Sequence, residues 1–88
     1  SGPAGLCASI YSIRANLSTL VVAGITPGGQ LMITTDVEDY PGFPGGIQGP
    51  ELMDKMRKQC EMLGVDFLNE NVTKVNLKNK TFIPTDFN

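Results

Sequence analysis

Apolar side chains at Leu6, Ile10, Ile13 and Leu17 recur at helical spacing, which predicts a helix over residues 3–17 with one buried stripe and with Pro3 in its first turn. Leu20-Val21-Val22-Ala23-Gly24 is apolar on both faces and reads as a strand of a covered parallel sheet. Thr26-Pro27-Gly28-Gly29-Gln30 is a turn-rich loop, and residues 31–35 are expected to run extended for a few positions before the acidic Asp36-Val37-Glu38-Asp39. Tyr40-Pro41-Gly42-Phe43-Pro44-Gly45-Gly46 is too rich in breakers for helix or strand. Its two aromatics and lack of serine mark a fixed loop more than a flexible linker.

Residues 50–63 carry the clearest pattern: Leu52, Met53, Met56, Cys60 and Leu63 on one side, Asp54, Lys55, Arg57, Lys58 and Glu61 on the other. Pro50 opens this amphipathic helix, Gly64 is placed to cap it, and Glu51/Lys55 and Asp54/Lys58 are favourably oriented four-residue pairs. Methionines at this spacing read as core and not as an adaptable binding face. Val65-Asp66-Phe67-Leu68 and residues 72–77 are strand-like, and a strand at residues 81–83 after the Lys78-Asn79-Lys80 turn would pair antiparallel with the latter. The fold class expected is α/β: a helix returning to a parallel strand makes most of a right-handed β-α-β unit, with its first strand missing.

Composition narrows the reading. A chain of 88 residues, 41% hydrophobic and 18% charged, is globular and holds one modest core, while ten Gly and six Pro imply much loop. A net charge of −2 without a basic cluster argues against nucleic acid and against an anionic membrane surface. Its longest purely apolar run is too short to span a bilayer, and no targeting segment is visible. Cys7 and Cys60 are the two cysteines and His is absent, so neither a zinc site nor a dithiol motif is available here. Both cysteines are expected to be buried free thiols, consistent with a reducing, cytoplasmic setting. All nine acidic residues lie at or beyond Asp36, and Arg14 is the one formal charge in the first 35 positions. That asymmetry suits a nucleotide-facing half, and equally a buried helix and strand.

The candidate chemistry begins at Ser1-Gly2-Pro3-Ala4-Gly5, which reads as the second half of a G-x-G-x-x-G loop. Such a loop ends a strand and opens a helix, so that bare backbone lies against a pyrophosphate at the helix N-terminus. Glycine-rich turns before helices are also common without any ligand. The acidic residue that usually grips the ribose at the end of the second strand is missing from Val22-Ala23-Gly24-Ile25. Either no dinucleotide binds, or other groups hold the ribose. The chain opening inside a motif, without an initiator Met, is expected to be a piece of a longer protein, marginally stable alone.

Read together and in order, Ser1-Gly2-Pro3-Ala4-Gly5, Arg14-Ala15-Asn16-Leu17, Pro27-Gly28-Gly29-Gln30-Leu31 and Thr34-Thr35-Asp36-Val37-Glu38-Asp39-Tyr40-Pro41-Gly42-Phe43-Pro44 closely resemble the FAD domain of low-molecular-weight thioredoxin reductases. The resemblance continues through Gly49-Pro50-Glu51-Leu52-Met53 to Val72-Thr73-Lys74-Val75 and so covers nearly the whole chain. It implies that residues 1–88 are a partial, three-layer, Rossmann-like FAD-binding domain of a pyridine nucleotide-disulfide oxidoreductase. The same resemblance implies that Ser1, Gly2, Pro3 and Ala4 meet the FAD pyrophosphate. The stretch from Ala23 and Gly24 through Gly28, Gly29 and Gln30 would pass the ribose and flavin, and Val72 would meet the adenine through its backbone. Asp39 stands where the family usually has Asn, and a carboxylate there would lower the flavin potential or weaken binding.

The resemblance further implies a homodimeric enzyme that passes electrons from NADPH through FAD to a C-x-x-C disulfide and on to thioredoxin. No catalytic residue and no NADPH domain lie within this segment, so the fragment alone would be catalytically incomplete. Two alternatives stay open: a related flavoprotein, such as a ferredoxin or flavodoxin NADP reductase or a peroxidase-coupled disulfide reductase, and a non-catalytic flavin-binding remnant.

Overall fold

The computed structural model describes residues 1–78 and the strand Thr81–Pro84. Its order is helix α1 (Pro3–Arg14), strand β1 (Leu20–Val22), a 3-10 helix (Gly29–Ile33), strands β2 (Asp36–Val37) and β3 (Ile47–Gln48), helix α2 (Gly49–Met62), and strands β4 (Asp66–Leu68), β5 (Val72–Asn76) and β6 (Thr81–Pro84). β1 and β4 pair in parallel, with Leu20, Val21 and Val22 opposite Asp66, Phe67 and Leu68. A parallel pair needs a long crossover, and α2 lies in the connection between them. β2 with β3, and β5 with β6, form two antiparallel ribbons. The expected α/β class and the hairpin after residue 72 are therefore present, with a small sheet.

The core sits where α1 and α2 cross above β1. Leu6, Leu52 and Cys60 are fully buried, and Val21, Met53, Met56, Ile47 and Val65 close around them. Each such aliphatic side chain contributes about 1.5–3 kcal/mol relative to exposure. Two polar contacts cross the helix pair, both at Cys60: its thiol donates to the Leu6 carbonyl at 3.4 Å and lies 3.3 Å from the buried Ser9 hydroxyl, which itself donates to Leu6 O at 2.7 Å. Cys60 is thus the buried thiol its position predicts, whereas Cys7 is exposed. Leu6 turns inward on α1, and its neighbour Cys7 consequently faces out.

Both helices end in the same device. After α1, Asn16 takes a left-handed φ of 63°, its amide bonds to Ile13 O and the Leu17 amide reaches back to Ser12 O. After α2, Gly64 has φ 97°, with its amide on Glu61 O and the Val65 amide on Cys60 O. These are Schellman motifs. Asn16 therefore stops α1 early, and Leu17, expected in the buried stripe, is 58% exposed. Leu20 is 56% exposed, so the strand expected to be covered on both faces is open on one in this segment. Gly64→Ala would force a side chain into the left-handed region and is expected to cost about 1 kcal/mol. Denaturant unfolding of the full-length protein measures it.

Residues 31–35 are not extended as expected. The chain coils instead into the 3-10 helix Gly29–Ile33, entered through Gly28 and Gly29 at φ 104° and 67°. Thr34 closes it, with backbone amide and hydroxyl both donating to Leu31 O at 3.3 and 2.9 Å. Of the two predicted ion pairs on α2, Asp54–Lys58 forms at 3.0 Å and Glu51–Lys55 does not, while Arg57–Glu61, which was not predicted, forms at 3.0 Å. Lys55 makes no ion pair among the described residues.

Candidate functional site

Three segments meet at the N-terminal end of α1. The Ser1 hydroxyl donates to Ala23 O at 2.8 Å and accepts from the Gly28 amide at 2.9 Å, tying the first loop both to the chain beyond β1 and to the glycine pair. Gly2 then lies against Gly29. A Cβ built on Gly29 would stand 3.0 Å from the Gly2 Cα, closer than side-chain carbons normally approach backbone. A Cβ on Gly2 would meet the Gly29 Cα at an ordinary 4.0 Å, so it is Gly29 whose bare backbone permits this side-by-side packing.

α1 opens with Gly2 as its cap residue, Pro3 in the first position and no side chain bonding to the helix end. The first intrahelical bond runs from the Leu6 amide to Gly2 O at 3.1 Å. The Ala4 and Gly5 amides therefore lack a backbone acceptor among the described hydrogen bonds, on exposed residues at the positive end of the helix dipole. Such an end stabilises a phosphate or carboxylate group.

The strand side is held with equal care. Beyond β1 the Ala23 amide bonds to Leu68 O at 2.7 Å and the Gly24 amide to Glu70 O at 3.0 Å. Gly24 has φ 81°, and the next amide, Ile25, is held by the Asn71 side-chain oxygen at 3.3 Å. Val72 follows Asn71 at the start of β5 and is 41% exposed, which places it next to this crossing. A cavity of about 140 Å³ lies beneath, between Ser1 and Gly28 on one side and Pro50, Met53 and Arg57 of α2 on the other.

Of the residues singled out by sequence, Ser1, Gly2, Pro3, Ala4, Ala23, Gly24, Gly28 and Gly29 are thus gathered at one end of the parallel pair. Gln30 is exposed within the 3-10 helix, one residue from the glycine pair. Asp39 lies apart on the turn of residues 38–44, exposed and without an ion pair among the described residues. Sequence reasoning missed Asn71, whose side chain holds Ile25, and Gly49, whose contact with the 3-10 helix supports the glycine loop. It also missed Arg57, which sits 4.3 Å over the Phe67 ring and so ties α2 to β4. None of these has a local signature, because each acts across the fold.

Ser1→Ala would remove both stapling bonds and leave the buried Gly28 amide without its acceptor. The expected cost is about 1–3 kcal/mol, read as a lower denaturant midpoint for the full-length protein. An unchanged midpoint would show that the hydroxyl contributes nothing to the junction.

No helix among the described residues is long and apolar enough to cross a membrane, and no group of three or more His, Cys, Asp or Glu residues there is placed to hold a metal ion. No protein-family model matches the chain. The chain is 55% identical over 82 residues to the thioredoxin reductase of Rickettsia bellii (strain RML369-C), covering 93% of this chain and 26% of that protein. With NADPH-dependent thioredoxin reductase 3 of Arabidopsis thaliana it shares 51% identity over 86 residues, 93% of this chain and 16% of the relative. Among solved structures, thioredoxin reductase from Giardia duodenalis superposes with a TM-score of 0.83 at 43% identity, over 92% of this chain and 26% of that one. The Lactococcus lactis thioredoxin reductase superposes with a TM-score of 0.85 at 40% identity, over 98% and 29%. The chain spans about a quarter of the length of the first of these relatives.

Proposed function

We propose, from the homology of this chain to the N-terminal region of thioredoxin reductases, that it forms part of the FAD site of an FAD-dependent NADPH:thioredoxin-disulfide oxidoreductase. One observation of the structure carries the reading. The uncapped N-terminus of α1 and the left-handed glycine pair lie edge to edge at the end of a parallel strand pair, bringing the backbone of Gly2, Ala4, Gly5 and Gly29 to where a pyrophosphate would rest. The residues fit the cofactor: unpartnered amides at Ala4 and Gly5 suit its charge, and Gly2 and Gly29 leave room for its approach.

When bound, FAD would supply the two-electron relay between nicotinamide and disulfide. The chain's own residues bind and orient. Ser1 fixes the two loops in register, Ala4 and Gly5 present donors to the phosphates, and Gln30 offers an amide able to donate and accept. Val72 would face the adenine by its backbone. Residues 1–88 are on this reading a partial FAD-binding domain, with NADPH and dithiol chemistry supplied elsewhere in a homodimeric, cytoplasmic protein. The parallel strand pair left half open at Leu20 supports the first point, and two free cysteines fit a reducing compartment.

Asp39 exposes a carboxylate with no ion-pair partner among the described residues, on the turn assigned to the flavin side. Negative charge disfavours electron-rich reduced flavin, so Asp39→Asn is expected to raise the flavin potential or tighten FAD. Redox titration and flavin release measure the two, and no change in either would reject the role. The activity itself is tested by supplying the full-length protein with NADPH and oxidised thioredoxin. Appearance of thioredoxin thiols is the expected result; reduction of ferredoxin or flavodoxin without thiol formation would favour the related reductase, and flavin binding without turnover the remnant.

A further inference from the structure

A cavity of about 590 Å³ lies away from the glycine loops, in the groove between α1, α2 and the loop of residues 40–43. Sites for small organic ligands commonly enclose about 300–1,000 Å³. Its floor is apolar, built from Leu52 and Met56, which are 1% and 7% exposed. One wall is the aromatic pair Tyr40 and Phe43, with ring centroids 6.4 Å apart and planes tilted by 39°. Arg14, from the last turn of α1, and Lys55, from the second turn of α2, complete the lining from opposite helices.

The charge pattern selects the occupant. The chain carries nine acidic residues and a net charge of −2, yet among the described residues no carboxylate lines this groove. Neither Arg14 nor Lys55 makes an ion pair among the described residues, whereas Arg57 and Lys58 both do. Two unneutralised cations beside an aromatic wall and an aliphatic floor suit a molecule with a flat apolar body and one anionic head. The head would take charge-assisted hydrogen bonds from both cations, the guanidinium by its planar fork, while the body stacks on the ring pair.

We propose that this groove is a binding site for a small aromatic carboxylate, separate from the glycine-loop site and independent of the function assigned to it. Cys7, exposed on α1 and part of the groove wall, provides the reporter. The experiment alkylates the full-length protein with iodoacetamide and follows Cys7 by peptide mass spectrometry, with naphthalene-2-acetate or its neutral amide as probe. The acid is expected to protect Cys7 at a concentration about tenfold lower than the amide. Arg14→Gln with Lys55→Gln is expected to abolish that difference while leaving FAD content and the unfolding midpoint unchanged, since both side chains are exposed. Equal protection by acid and amide, protection by neither, or full protection in the double variant would each overturn the proposal.

Discussion

Gly29→Ala is expected to strip FAD from the full-length protein, with retention falling at least about tenfold. Two penalties act together at this position. Its φ of 67° is a left-handed conformation that costs a residue with a Cβ about 1–2 kcal/mol. The new carbon would also stand 3.0 Å from the Gly2 Cα, and because that neighbour is backbone it cannot rotate aside. Relief requires the two loops to part, which pulls the Gly28 amide away from Ser1 and the α1 N-terminus away from the glycine pair. Gly45→Ala is the matched control, since its Cβ would meet nothing within 4 Å and its φ is ordinary. Flavin-to-protein absorbance of the purified variants measures the effect. Equal flavin content in both would separate the glycine contact from cofactor binding.

Gly49→Ala is expected to be the most destabilising single methyl in the segment, costing about 3 kcal/mol or more. Gly49 is buried at the start of α2, where its amide donates to Thr35 O at 2.9 Å. A Cβ there would run into Leu31 O and the Thr34 hydroxyl. Both atoms belong to the 3-10 helix and its closing turn, which are already fixed by the Thr34 bonds to Leu31 O. The helix pair would have to slide apart, opening the contact that seats the glycine loop. A fall in the unfolding midpoint of the full-length protein, accompanied by flavin loss, is the predicted pattern. A midpoint within the scatter of surface substitutions would show that the 3-10 helix yields without cost.

These two glycines differ in how far sequence could identify them. Gly29 sits in a Pro-Gly-Gly turn signal, and its value as bare backbone follows from local chemistry alone. Gly49 precedes Pro50 and marks only a turn, because its constraint comes from a carbonyl 18 positions earlier in the chain. The same division runs through the fold. α2 was legible residue by residue, since Leu52, Met53, Met56 and Cys60 repeat at a period that one helix face can bury. Gly64 was legible as its cap for the same local reason.

Residues 31–35 misled because Ile33, Thr34 and Thr35 are β-branched and favour extended backbone in isolation. Tertiary contact decided otherwise: a left-handed entry at Gly28 and a docking surface at Gly49 make a tight coil the form that packs. Leu17 fits the helical period, but Asn16 ends the helix before it, and Asn at such a cap is a weaker signal than Gly. Cys7 is expected inside as a lone cysteine on a helical stretch, whereas its register one residue after Leu6 turns it outward. At the candidate site the turn of residues 1–5 was legible from glycine and proline placement and the other positions came from the family resemblance, while Asn71, holding Ile25 from 46 residues away, had neither signal.

On the proposed function, the amides opening α1 receive the FAD pyrophosphate beside Gly28 and Gly29. The most direct test is a crystal structure of the full-length protein with FAD. Phosphate oxygens are expected within hydrogen-bonding distance, about 3 Å, of the Ala4 and Gly5 amides, with the cofactor running past Gly29 towards the Asp39 turn. A flavin seated elsewhere, or phosphates held by side chains with those amides left to solvent, would contradict it.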